Sequence, residues 1–161
     1  MKTGILKNIL LVLCTLIFST TSHAQVLTVK TLSLDAAKKI TSEAVKYAKA
    51  NNAPGGSIAV VDAGGNLMYL ERLDNTFPAS ALIAYNKANT AATFKAPSSK
   101  LENAINNGRD ALITVGHTFL QGGIPIMVDG QVVGAVGVSG SASAQQDEDI
   151  ANAGAAAKLE L

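Results

Sequence analysis

The spacing of hydrophobic positions changes along the chain, and each change marks an element. In LSLDAAKKITSEAVKYAKANN, Leu34, Ala37, Ile40, Ala44 and Ala48 recur at helical spacing. Ser33 can cap that helix, and Asn51-Asn52-Ala53-Pro54-Gly55-Gly56 ends it. SIAVVDAGGNLMYLER follows as two strands around Ala63-Gly64-Gly65-Asn66, a turn whose residues tolerate positive φ. From Pro78 to Asn107 the pattern is helical again and alanine-rich; Pro97 interrupts it, and Ser99 with Glu102 has the spacing of a capping box for a further helix. DALITVGHTFLQ reads as a strand running into a loop. GGIPIMVDGQVVGAVGVSG is a hairpin turned by Asp129-Gly130, and AQQDEDIANAGAAAKLEL closes the chain as a helix with acids in its first turn. Gln25 to Leu32 is a short extended lead-in. Helix, hairpin, helices, hairpin, helix predicts an α/β domain, an antiparallel sheet with helices on its faces.

The second hairpin is apolar on both sides. By strand alternation Val132, Gly134, Val136 and Val138 share one face, and Val133, Ala135 and Gly137 the other, so this strand is expected inside the sheet. Small residues on a strand let something approach the backbone closely. Two readings stand: a packed helix, or a planar ligand.

The first 24 residues belong to a different problem. Lys2 and Lys7, the apolar run Ile9 to Phe18, and Ser22-His23-Ala24 form the three parts of a secretory signal peptide with cleavage expected after Ala24. The apolar run is about half the length that spans a bilayer, so removal rather than anchoring is expected. Cys14, the only cysteine, lies in this segment, and Leu13 stands where a lipoprotein signal needs a small residue. The remaining 161 − 24 = 137 residues, 25–161, suffice for one domain with its own core. Without Lys2 and Lys7 the chain has 11 basic and 12 acidic residues, a formal charge of about −1. Near-balance argues against nucleic acid and against a polybasic membrane contact.

Common catalytic patterns are missing. Gly134, Gly137 and Gly140 recur every third residue and make neither a dinucleotide fingerprint nor a P-loop. There is no Cys pair or clustered histidine for a closed metal site. Ser139 sits in GVSGS rather than in a nucleophile elbow.

Seven segments taken in order resemble one family: VVDAGGNL (60–67), ERLD (71–74), Ser80, NKANTA (86–91), GGIPI (122–126), DGQVVGAVGVSG (129–140) and QDEDIANAGA (146–155). They are similar to the GlcG/HbpS haem-binding family, also described as a haem-degrading-like domain. The resemblance implies a single-domain α/β/α sandwich around an antiparallel sheet, profilin-like or PAS-like in layout, assembled as a homo-oligomer. It also implies that members can be exported and bind haem non-covalently, and that related domains accompany other proteins.

Candidate site residues follow. His117 is the only histidine after residue 24, just ahead of Gly122 and Gly123, and a neutral imidazole is a good haem-iron ligand; a hydrogen-bonded structural histidine is the other reading. Lys87 matches the family's Lys-Ala-x-Thr-Ala segment, and on a helix Lys87, Thr90 and Ala91 share a face. A cation and a hydroxyl beside small residues suit a carboxylate, such as a haem propionate; a lysine that is solvated or paired with an acid is the alternative. Arg72 and Asp74 are expected to brace the first hairpin, and Arg109 is a further cation. The expectation is therefore a periplasmic or secreted haem-binding protein that sequesters, stores or senses haem iron, with no nucleic acid partner and no stable membrane anchor. Two alternatives are an enzyme on a small carboxylate or cyclic metabolite, with Lys87 as clamp and His117 or Asp62 as acid/base, and an accessory module that binds a sensor or partner protein.

Overall fold

The computed structural model describes residues 29–159; residues 1–28, on which the expected signal peptide falls, and the last two residues lie outside that range. After the irregular lead 29–33 come α1 (Leu34–Ala50), β1 (Ser57–Asp62), β2 (Leu67–Arg72), α2 (Ser80–Phe94), α3 (Ser98–Asn106), a 3-10 helix (Asp110–Val115), β3 (Gly123–Val128), β4 (Gln131–Ser139) and α4 (Ala144–Ala155). The four strands form one antiparallel sheet in the order β2-β1-β4-β3. β4 is thus an interior strand, as its two apolar sides require. Pro125 sits on the edge strand β3, where a missing N–H costs no ladder bond.

Helices cover both faces. α1 and α4 pack together and bury Ala37, Ile40, Ala44, Ile150 and Ala151 against Ile58, Val60, Val136 and Val138. α2 lies on the opposite face, with Ala88, Ala91 and Ala92 against Val61 and Ala135. The Ser33 hydroxyl accepts from Ala36 N at 3.1 Å, capping α1, and Ser143 does the same for α4 through Gln146 N. The second hairpin turns through Asp129 (φ 47°) and Gly130 (φ 75°), both left-handed, as a tight two-residue connection demands.

The sheet also shows what the glycines are for. A Cβ on Gly137 would overlap Ala84 O and the Ala88 backbone, and one on Gly123 would overlap Lys87 O. The backbone of α2 therefore touches the strands directly. At these positions helix packing, the first of the two readings, accounts for the small residues.

Four expectations are corrected. DALITV is a 3-10 helix, not a strand, because no sheet edge lies beside it. α3 begins at Ser98 with Pro97 in the cap position and no side-chain cap; Ser99 Oγ donates instead to Glu148 Oε1 and Glu102 takes Gln121 N. The closing helix stops at Ala155, short of the tail. The alternation along β4 is broken by a bulge: Ile126 pairs with Gly134 but Met127 pairs with Val132. The extra residue, Val133, consequently joins Val136 and Val138 in the α1/α4 core rather than Ala135.

Candidate functional site

Lys87 projects from the middle of α2 into the interior and is only 3% exposed. Its Nζ donates to Asp147 Oδ2 at 2.9 Å and to Val138 O at 2.9 Å. Asp147, in the first turn of α4, also accepts from Ser141 N and Ser141 Oγ through its other oxygen. Gly122 roofs this ion pair: a Cβ there would stand 3.0 Å from Lys87 Nζ and 3.1 Å from Asp147 Cβ, and its φ of 120° favours glycine. Of the two readings open for Lys87, the structure shows the one in which it pairs with an acid. A carboxylate arriving from outside would have to displace Asp147.

Thr90, one turn further along α2, is likewise committed. Its Oγ1 lies 2.9 Å from both Asn86 O and Thr118 O. Thr90 and Lys87 share a buried face as the helix spacing predicts, but that face meets protein.

Asp62 belongs to its own turn. Its carboxylate accepts from Gly64 N, Asn66 N and the Asn66 side-chain amide. Burial pushes its pKa up, but the bonds from Asn66, Gly64 and Gly65 outweigh that and hold it below the ordinary carboxylate value. A carboxylate so stabilised is a weak general base. The metabolite-enzyme alternative thus finds its clamp paired to Asp147 and one of its two acid/base candidates locked in a turn.

His117 differs from the others. It follows Gly116, whose left-handed φ of 74° ends the 3-10 helix, and it is half-buried. Its ring meets the ring of Phe94 edge-on at a centroid distance of 5.1 Å and lies 6.4 Å from that of Phe119. Large apolar side chains within four residues of it are open to solvent: Ile113 is 66% exposed, Val115 48% and Leu120 44%. A partly accessible imidazole on an aromatic support, close in sequence to exposed apolar side chains, offers a nitrogen of the kind that binds haem iron. Among the described residues no three His, Cys, Asp or Glu gather to hold a metal ion by themselves. His117 therefore fits haem iron by the donor it offers. Arg109 is exposed ahead of the same 3-10 helix. The sequence brought out His117, as the one histidine after residue 24, but not Phe94 and Phe119, which reach it only because a helix and a loop meet.

A single domain with helices on both faces of a four-stranded antiparallel sheet is an architecture of known type. Residues 32–156 match the family described as "Haem degrading protein HbpS-like", and the chain belongs to it. Protein GlcG of Escherichia coli K12 is 49% identical over 84 residues, which is 52% of this chain and 63% of GlcG's length. A crystal structure of a double mutant of Streptomyces reticuli HbpS superimposes with a TM-score of 0.75 at 34% identity, covering 85% of this chain and 93% of that one. A crystal structure described as a PduOC:haem complex superimposes with a TM-score of 0.71 at 27% identity, covering 80% and 96%.

Proposed function

We propose that this chain is an exported haem-binding protein, with His117 supplying a nitrogen to the iron and the apolar surface of Ile113, Val115 and Leu120 meeting the porphyrin. The observation that carries the reading is the accessible imidazole on the Phe94 and Phe119 shelf, in a chain of the HbpS-like family that also superimposes on a structure described as a haem complex. Lys87, Thr90, Gly122 and Gly123 then serve as framework beneath the site, not as contacts to haem. Export rests on the signal-like first 24 residues, and places haem sequestration, storage or sensing in the periplasm or the medium. Self-association would use other exposed apolar side chains, such as Phe77 and Leu82, which a homo-oligomer or a sensor protein would cover. Titration of the chain from residue 25 onward with ferric haem tests the reading: a saturable Soret shift is expected, and its absence contradicts haem binding.

A further inference from the structure

The stretch from Gly116 to Gln121 lies outside the sheet, and only at Gly122, whose O accepts from Val138 N at 2.9 Å, does the chain join β4; side chains from two helices meet its backbone at closely spaced points. Thr90 Oγ1 of α2 lies 2.9 Å from Thr118 O and shares its one proton between that carbonyl and Asn86 O, also at 2.9 Å. Ser98 Oγ, at the start of α3, donates to Leu120 O at 2.6 Å and accepts from Gly123 N at 2.8 Å. Glu102 Oε2, one turn later, accepts from Gln121 N at 2.7 Å. Phe119 turns inward to meet Phe94 at 5.7 Å, while His117 lies at the start of the pinned segment. Thr90 and Ser98 are both fully buried, so neither spends its hydroxyl on solvent or on a ligand.

Irregular segments are ordinarily the mobile parts of a domain, and a ligating side chain works only when the shell behind it fixes its orientation. We infer that Thr90 and Ser98 are positioning residues for His117, holding residues 118–123 in one conformation so that the imidazole is presented in a single orientation. Glu102 adds a third brace from the half-exposed side. This assignment rests on the haem reading. It gives a second purpose to α2, whose alanine face packs the sheet while its one buried threonine reaches across to the site.

Thr90→Val keeps the shape of the side chain and removes the hydroxyl; Thr90→Ser keeps the hydroxyl. In haem-loaded protein Thr90→Val and Ser98→Ala should each weaken haem affinity about tenfold or more, as loss of a supporting hydrogen bond does at metal sites. The ferric electron paramagnetic resonance signal should broaden into more than one species, with far-UV circular dichroism unchanged. Thr90→Ser should restore both readouts. If the two buried variants fail to fold, Glu102→Gln carries the same spectral expectation at a half-exposed position. Wild-type affinity and spectrum in the folded variants would overturn the positioning role alone, provided that His117→Ala still alters the wild-type spectrum. A wild-type protein that binds no haem, or whose spectrum ignores His117→Ala, would overturn the haem reading and this inference with it.

Discussion

Lys87 Nζ and Asp147 Oδ2 stand 2.9 Å apart in the interior, and their side chains are 4% and 8% exposed. The pair ties α2 to the first turn of α4, and the lysine also holds the end of β4 through Val138 O. Both charges are desolvated, so each depends on the other. Removing one partner strands the other without compensation.

Lys87→Met should therefore destabilise the fold by about 3 to 5 kcal/mol, and Asp147→Leu similarly, whereas the double variant should cost clearly less than the sum. Urea unfolding of the four proteins measures this. Additive losses would mean that the two charges do not rely on each other.

Gly137→Ala should cost about 1 to 3 kcal/mol, because the new methyl meets the backbone of α2 at Ala84 and Ala88, which cannot swing aside as a flexible side chain would. Thermal unfolding reports it. An unchanged midpoint would show that α2 does not rest on the strand.

These two sites mark how far the sequence could be read. The helices, both hairpins, the Ser33 cap and the Asp129-Gly130 turn were legible because each depends on local periodicity or on φ preferences of one or two residues. The 3-10 helix was not, since DALITV has the apolar content of a strand and only the absence of a neighbouring strand rules it out. Nor was the fate of Lys87. NKANTA places it on one face with Thr90, but its counter-charge lies 60 residues away and reaches it only through the tertiary fold. The bulge at Val133 was equally hidden: an all-apolar strand has no polar residue to reveal where its alternation slips.

Asp62 should make stability pH-dependent in one direction. Its folded pKa lies below the ordinary 3.8, so ionised Asp62 stabilises the first hairpin fully above that value, and this contribution is lost as pH falls through the lower folded pKa. The stability gap between wild type and Asp62→Ala should be widest above about pH 4 and shrink in more acid solution. A gap that stays constant down to the acid limit would mean that the carboxylate's charge does not support the turn.

Export predicts a cleaved chain. Intact-mass measurement of protein recovered outside the cytoplasm should give an N-terminus at Gln25. Retention of residues 1–24 in that fraction would contradict the signal peptide.

The central claim is that haem iron is held by His117, and the most direct measurement compares haem titrations of wild type and His117→Ala followed at the Soret band. The account predicts saturable binding by wild type. The variant should show a displaced band and weaker affinity, because the coordinate bond is lost while the apolar contacts of Ile113, Val115 and Leu120 remain. Identical Soret positions and affinities in the two proteins, or no saturable binding by either, would contradict it.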